Sequence, residues 1–457
     1  MLLKGNIFDE LNRAFVNTLC RSEAARLNLH EEFAAFYNND YESICGYLRE
    51  ATLNNPFSAE TLKDLRFRHV NVIKKIVSRI TSGIFTKDPV ISIKGDTDLQ
   101  ENLHRILTDC QFIRKVKEAF CKAVYFNTVD VQVVWMPDSS KLRIDVLTPN
   151  NYVVETGNDY LQKTTIAVRK ADSDGEIFWS YWNRSEHYLL KDGRKIPATG
   201  NQNMENPFAG QNSLASPLPF AVLRIDEGDD YFGEPNWNIF LHQKNLDIRL
   251  TDLNETELKT LHQIYFGINT NFTKDETFRA GDFKQINNVK EEDKTPAIQS
   301  ITANADYSAV RENIDWHNRL VLGSEGLNGA SASTELKAES GAAKTIDELE
   351  LFEKREEYKS TLYHFMVNLL NVVVMVWNCY NPTKKLPDAP EFSIRFCDSK
   401  ISESMDDKIK RYDMALRYGF KDEVDVTMEE LELSEAEAIE KLKLCCERKK
   451  QVSINKQ

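Results

Sequence analysis

The stretch that decides the fold spans residues 234–266 and reads EPNWNIFLHQKNLDIRLTDLNETELKTLHQIYF. Pro235 stands near the first position of a helix, and residues 236–266 contain neither glycine nor proline. This predicts one continuous helix of about thirty residues, about 45 Å long. Its apolar residues recur every three to five positions, so one stripe is expected to pack while the rest is polar. The stripe consists of Trp237, Leu241, Leu246, Leu250, Leu253, Leu258 and Leu261.

The segment that follows this helix predicts an arm made of two helices. Residues 267–302 are polar, with turn residues and short apolar runs, which predicts short strands. A second helix is expected at 303–322, then the Gly- and Ser-rich run 323–333, then a long helix over 334–379. An isolated arm of this kind would expose its apolar stripe to water, at about 25 cal/mol per Å². Neighbouring copies would cover the stripe, so the pattern predicts a ring or a bundle of copies.

The remainder of the chain combines helices with strands of period two. Helices are expected over the first sixty residues and at 62–80, 99–122, 402–418 and 434–449, and strands at 89–93 and 391–396. Between residues 129 and 190, alternating runs are separated by Gly, Asp and Asn, which predicts an antiparallel β-meander. The stretch 197–219 is expected to be a surface loop. The predicted class is α+β and mainly helical.

The helix predicted at 62–80 carries a local basic cluster in an acidic chain. Two interpretations remain open, a solvated helix face or a surface that meets an acidic partner. The cluster consists of Lys63, Arg66, Arg68, Lys74, Lys75 and Arg79.

Composition excludes several classes of protein. The 457 residues are 41% hydrophobic and 10% aromatic, which excludes a disordered or collagen-like chain. The formal net charge of −13 is opposite to that of a protein that grips nucleic acid over its whole surface. Eight cysteines without a CxxC pair indicate reduced thiols and synthesis in the cytoplasm. The N-terminus has no signal-peptide core, and the most apolar run, 365–377, is too short to span a bilayer, so no membrane association is expected.

The sequence contains no motif of a catalytic or metal site. It lacks a GxxxxGK[ST] phosphate loop, an HExxH motif and a GxSxG elbow, and its eight histidines lack ligand spacing. We therefore expect no enzyme activity, no catalytic residue, no metal and no cofactor. The acidic run Asp226–Asp230 suits either a divalent cation or a turn before a helix. The glycines from Gly323 to Gly329 suit either a phosphate contact or a mobile hinge, and we favour a mobile loop that touches a passing ligand.

Three segments together resemble the portal proteins of tailed bacteriophages. Residues 218–223 and 233–236 are similar to that family's link between the wing sheet and the first stem helix. Residues 327–337, LNGASASTELK, are similar to its tunnel loop and the start of its long wing helix. Residues 416–438 are similar to its helical crown. The resemblance lies in the order of the segments and in their local residue patterns, over nearly the whole chain.

The resemblance implies a homo-oligomeric ring of about twelve copies at one capsid vertex of the virion. Double-stranded DNA would be packaged and ejected through its channel. Further implied partners are the large terminase subunit, then a head–tail adaptor, and the major capsid or scaffolding protein. The implied parts are the N-terminal helices with the β-meander wing (1–233), stem helix one (234–266), the clip (267–302), stem helix two (303–322), the tunnel loop (323–336), the long wing helix with a strand (337–400) and a short crown (401–457).

Two sets of residues are the candidates for contact with DNA. Seven belong to the tunnel loop: Gly323, Ser324, Gly326, Asn328, Gly329, Ser331 and Ser333. Five are basic residues of the stem helices that would guide DNA, or are solvated or intersubunit charges: Lys244, Arg249, Lys259, Arg311 and Arg319. The alternatives are another structural ring or adaptor of the virion, and a metal-dependent nuclease that uses the carboxylates of Asp226–Asp230.

Overall fold

A computed structural model describes residues 19–52, 66–159, 161–171, 175–191, 194–198, 201–210, 217–226, 228–261, 264–268, 283–286, 297–301, 307–327, 349–396, 405–431, 438–439 and 441–445. The chain divides into two compact units, which we describe separately. The first contains residues 1–335 and 350–397, and the second contains 336–349 and 398–457.

Five helices and one strand open the described part of the first unit. They are α1 (Leu19–Asn38), α2 (Tyr41–Thr52), α3 (Ile73–Ile84), β1 (Val90–Ile93), α4 (Thr97–Asp109) and α5 (Phe112–Phe126). Two expectations are corrected. Residues 66–72 are not helical, so the predicted helix at 62–80 begins only at Ile73. The helix predicted at 99–122 is two helices, because Gln111 between them adopts a left-handed conformation with φ of 53°.

Eight strands follow and form two antiparallel sheets. They are β2 (Thr128–Met136), β3 (Lys141–Leu147), β4 (Tyr152–Thr156), β5 (Lys163–Ala171), β6 (Ile177–Asn183), β7 (His187–Lys191), β8 (Arg194–Pro197) and β9 (Phe220–Arg224). Strands β4 to β8 pair in sequence order, which confirms the meander. The β2–β3 hairpin belongs to a separate sheet, because β9 pairs with β2 on its other side, with Val131 opposite Ala221. The strands β8 and β9 are not predicted by the sequence pattern. The predicted surface loop at 197–219 contains the buried residues Asn206, Phe208 and Leu218.

The two arm helices flank a small sheet. Helix α6 (Trp237–Leu261) precedes β10 (Ile264–Ile268), β11 (Phe283–Ile286) and β12 (Ala297–Ile301), and α7 (Tyr307–Ser324) follows. Strand β10 lies between β11, to which it is parallel, and β12, to which it is antiparallel. Residues 267–302 therefore contain strands, as their composition predicts. The helix predicted to extend to residue 266 is corrected, because it ends at Leu261 and β10 already begins at Ile264.

The last described elements are α8 (Leu349–Tyr380), β13 (Phe392–Arg395), α9 (Met405–Arg417) and α10 (Glu423–Leu431). Strand β13 pairs with β1 in antiparallel register. Residues 334–348 of the predicted long helix lie outside the described residues, as does the start of the helix predicted at 434–449. The spacing of apolar residues predicts no helix at α10, which lies within the residues 416–438 that resemble a helical crown. The mainly helical α+β class is confirmed.

Helix α8 is long and apolar enough to cross a membrane over Glu353–Tyr380, but 67% of its most apolar window is buried inside the protein. Leu362, Phe365 and Met366 are at most 2% exposed and belong to the same hydrophobic core as α3 and α5. Burial in this core accounts for the hydrophobicity of the helix.

Candidate functional site

The two arm helices run antiparallel, as three contacts between their side chains show. His242 Nε2 lies 2.8 Å from Asn318 Oδ1, near the start of α6 and the end of α7. Further along α6, Arg249 donates to Asn313, and Glu257 lies 3.5 Å from Arg311. As the residue numbers on α6 increase, the numbers of their partners on α7 decrease, so the two helices run in opposite directions. We call α6, β10–β12 and α7 together the stem hairpin.

The first half of α6 packs into its own chain. Ile239 and Phe240 are buried, and the ring of Phe240 stacks on Phe33 of α1 at 4.0 Å. Lys244 Nζ forms an ion pair at 2.7 Å with Glu32 of α1. Within the apolar stripe, the core of the same subunit covers Leu246, so the expectation that neighbouring copies cover the whole stripe is wrong at this residue. Trp237 and Leu241 of the stripe remain 36% and 47% exposed.

The buried side of α6 also carries a polar ladder, which consists of Gln243, Asp247 and Thr251. These side chains repeat every four residues and are almost completely buried. These side chains accept hydrogen bonds from backbone N–H groups of the non-helical segment before α3. Gln243 Oε1 accepts from the backbone nitrogen of Val72 at 2.8 Å, and Thr251 Oγ1 accepts from the backbone nitrogen of Arg68 at 2.9 Å. This pairing is the reason that residues 66–72 do not continue the helix. The sequence indicates this ladder by polar residues that recur every four positions along the helix.

The turn that leads into α6 is built around Asn127 and Asp230. Asn127 Oδ1 accepts from the backbone nitrogen of Asp226 at 2.8 Å, and its Nδ2 donates to the Asp226 carbonyl at 3.1 Å. Asp230 Oδ1 accepts from the backbone nitrogens of Phe232 and Gly233. The acidic run Asp226–Asp230 thus lies in a turn before a helix, with one carboxylate bound to backbone. Glu227 lies outside the described residues, and in the described part of the chain no three His, Cys, Asp or Glu side chains are placed to share a metal.

A buried charge joins this turn to the sheets. Asp130 of β2 is fully buried, pairs with Lys163 of β5, and accepts from Tyr231 Oη at 2.7 Å. Burial, together with the nearby Asp130 carboxylate, raises the pKa of Tyr231 well above its usual value, so the phenol stays protonated and donates. Arg224 Nε donates to the Tyr231 carbonyl at 2.7 Å. The start of α6 is therefore tied to both sheets.

The five basic candidates occupy different environments. Lys244 is half-buried and paired with Glu32 of its own chain. Arg249 binds Asn313 across the stem hairpin. Arg311 and Arg319 are exposed on α7, and Arg311 is 3.5 Å from Glu257. The side chain of Lys259 lies outside the described part of the structure.

The glycine-rich candidates begin inside a helix cap. Gly323 and Ser324 belong to the last turn of α7, so the helix ends two residues later than expected. Gly326 has a φ of 69°, and its backbone nitrogen donates to the Gly323 carbonyl at 3.0 Å. The next nitrogen, that of Leu327, donates to the Leu322 carbonyl at 2.8 Å, and both leucine side chains are buried. These bonds define a Schellman motif. The remaining candidates, Asn328, Gly329, Ser331 and Ser333, lie outside the described residues.

The stem hairpin exposes large apolar side chains that the sequence analysis did not single out. Trp316 is 56% exposed and Leu320 is 50% exposed, four residues apart on α7, and Val310 is exposed on the same helix. The available signal was the spacing of four between Trp316 and Leu320 on one helix.

Two grooves border α7. The stem groove, of about 290 Å³, lies between α6 and α7 and is lined by Leu241, Ile314 and Leu320 among others. The basic groove, of about 530 Å³, lies between α3 and the end of α7, and Lys75, Arg79, Val70, Ile76, Leu322 and Leu327 line it.

The described residues thus define an α+β protein with an antiparallel helix pair closed by a small sheet. No protein-family model and no curated protein matches the sequence. Similar solved structures include a chain of the virion of a native gene transfer agent particle, at 9% identity and a TM-score of 0.41, covering 76% of this chain and 84% of that chain. A chain from the neck of an empty gene transfer agent particle is also 9% identical, with a TM-score of 0.38, covering 80% of this chain and 90% of that chain. Neither likeness assigns a function to this chain.

Proposed function

We propose that this chain is a portal protein, a subunit of a ring at one capsid vertex through which double-stranded DNA is packaged and ejected. The stem hairpin carries this proposal, because α7 exposes Val310, Trp316 and Leu320 while the start of α6 is fixed in its own core. Full burial of one large apolar side chain is worth about 1.5–3 kcal/mol. Neighbouring copies that cover these side chains would gain that free energy.

The charge of the chain suits a conduit that does not hold DNA tightly. Each copy carries a formal net charge of −13. Many lysine or arginine contacts with phosphates would release counterions and bind DNA strongly, whereas an acidic or mixed lining lets a like-charged polymer slide. Arg311 and Arg319, both exposed on α7, are the described residues best placed to guide DNA. Lys244 is engaged within its own subunit.

The proposed role is structural, with no catalytic step and no cofactor. The ring would sit in the virion, contact the major capsid or scaffolding protein, dock the large terminase subunit during filling and bind a head–tail adaptor afterwards. The acidic run before α6 serves to form a turn in this proposal, since Asp230 accepts two backbone N–H groups.

Electron microscopy and mass photometry of the purified full chain test the proposal. We expect closed rings of about twelve copies with a central bore. A protein that remains monomeric at every concentration, together with particles that contain no such ring, would contradict it.

Deletion of residues 328–333 tests the role of the loop separately. The deletion starts after Leu327, so that the Schellman motif of α7 stays intact. We expect rings to form normally and the amount of packaged DNA per particle to fall. Normal filling by the deletion variant would remove the loop from the mechanism and leave the ring untouched.

A further inference from the structure

One edge of α7 combines a carboxylate with two exposed apolar side chains. Glu312, Trp316 and Leu320 follow one another at a spacing of four, so they lie on one face of the helix. All three are exposed, Trp316 by 56% and Leu320 by 50%. We call these three residues the tryptophan edge. It is apolar at its centre and negatively charged at one end.

The basic groove has the complementary composition. Its apolar lining includes Ile76, Leu322 and Leu327, which are 1%, 8% and 3% exposed, so they form a floor. Lys75 and Arg79 follow at a spacing of four on α3, and both are exposed at the groove. The groove volume of about 530 Å³ is larger than that of an indole ring. An apolar group flanked by a carboxylate therefore suits this groove in both size and charge.

The tryptophan edge and the basic groove lie on opposite sides of α7. Asn318 and Leu322 of this helix line the groove. Trp316 and Leu320 are each displaced by two residues from these positions, which is about 200° around a helix. A surface and its complement on opposite sides of one subunit allow head-to-tail contact, and such contacts generate a ring where the rotation between copies closes.

We propose that the tryptophan edge of one copy docks in the basic groove of the neighbouring copy, with Glu312 facing Lys75 and Arg79. This inference rests on the proposed ring and names the contact that builds it. The contact assigns a role to part of the basic cluster on α3, which would meet an acidic edge of the same protein.

The stem groove is a poorer receptor for the same edge. Leu320 itself lines the stem groove, so the edge and that groove share a side of the hairpin. Two copies that bind each other through this shared side can pair reciprocally about a two-fold axis, which closes a dimer and not a larger ring.

Charge-reversal variants test the contact, because reversing the charges on both sides at once should restore what reversal on one side removes. The variants are Glu312→Lys, the pair Lys75→Glu with Arg79→Glu, and all three substitutions in one chain. Glu101→Lys, at an exposed position of α4, is the matched control. The readout is the ring fraction of the full chain by mass photometry, with circular dichroism to verify folding and a gel-shift assay for duplex DNA.

We expect Glu312→Lys, and separately the Lys75→Glu/Arg79→Glu pair, to lower the ring fraction at least tenfold, the triple variant to restore it and the control to leave it unchanged. A Trp316→Ala variant, which changes no charge, should also lose rings. Folded single variants that form rings like the wild type would overturn the docking and leave the proposed function standing. Loss without restoration in the triple variant would also overturn it.

Three further outcomes count against the docking. Intact rings with lost DNA binding in the Lys75→Glu/Arg79→Glu variant would show that the groove binds nucleic acid instead. A wild-type chain that yields only two-fold dimers would assign the edge to the stem groove, and a wild-type chain without any oligomer would contradict the proposed function together with the docking.

Discussion

Two glycines near the end of α7 have opposite structural requirements. Gly326 has a φ of 69°, which lets the chain close the Schellman motif. Gly323 lies inside the helix, and a Cβ added there meets nothing within 4 Å. We therefore expect Gly326→Ala to destabilise the protein by about 1–2 kcal/mol, and Gly323→Ala to stabilise it by about 0.5–1 kcal/mol. Urea unfolding of both variants checks the opposite signs, and equal effects would contradict the cap.

His30 makes the stability of the first unit depend on pH. Its ring is 2% exposed among Phe33, Phe126 and Phe232, and burial lowers its pKa from 6.5 to about 4. The remaining influences are smaller. The Arg26 carbonyl, which accepts from Nδ1, and the carboxylate of Asp230 raise the pKa, and the charge of Arg26 lowers it.

Burial disfavours protonation of His30 in the folded protein. The contribution of this residue to the free energy of unfolding is therefore present above its unfolded pKa and is lost as the pH falls toward the folded pKa of about 4. Between pH 7 and pH 5 the loss amounts to about 2 kcal/mol. A His30→Gln variant lacks this loss, so its stability relative to the wild type should improve by that amount over the same range. Urea titrations of both proteins at the two pH values measure the difference. A relative stability that does not change with pH would contradict the assignment.

At the scale of elements, the polar ladder decides where α3 starts and how α6 is held. A Gln243→Ala substitution removes the acceptor of the Val72 N–H and the donor to the Val70 carbonyl. Each buried polar group left unpaired costs about 1–3 kcal/mol. We expect a total loss of about 2–6 kcal/mol for these two groups, measured as a lower urea midpoint.

The matched control is Asn245→Ala, at an exposed position two residues further along the same helix. It should change stability by less than about 0.5 kcal/mol. Equal effects of Gln243→Ala and Asn245→Ala would show that the ladder contributes nothing beyond helix propensity.

The spacing of apolar residues predicted the elements whose packing partners are close in sequence. It failed where an element depends on a partner that lies far away along the chain. The β-meander and the stem helices follow from spacing alone, because their strands and turns are local. The break at Gln111 and the helix start at Ile73 depend on packing and on partners such as Gln243, which the local pattern does not contain. Strand β9 was missed for the same reason, since its partner β2 lies about ninety residues earlier.

The candidate site was predictable in outline only. Two helices around a small module, and their need for a cover, follow from the sequence. The difference between Leu246, which its own subunit covers, and Leu241, which stays exposed, does not follow, because an apolar stripe looks the same against either partner. The sequence does not single out Trp316 and Leu320, because the basic groove on the other side of α7 is formed by α3 and α7 together and not by a local pattern.

At the scale of the whole molecule, net charge opposes assembly. Copies that each carry −13 repel one another over the screening length, which is about 30 Å at 0.01 M salt and about 8 Å at 0.15 M. The proposed contact is mainly apolar, with its charges at the rim, so salt weakens it less than it weakens the repulsion between whole subunits. We therefore expect the ring fraction at a fixed protein concentration to rise several-fold from 0.01 to 0.15 M salt and then to level off. Mass photometry across a salt series measures this, and a ring fraction that falls steadily with salt would show that exposed ion pairs, not apolar burial, hold the copies together.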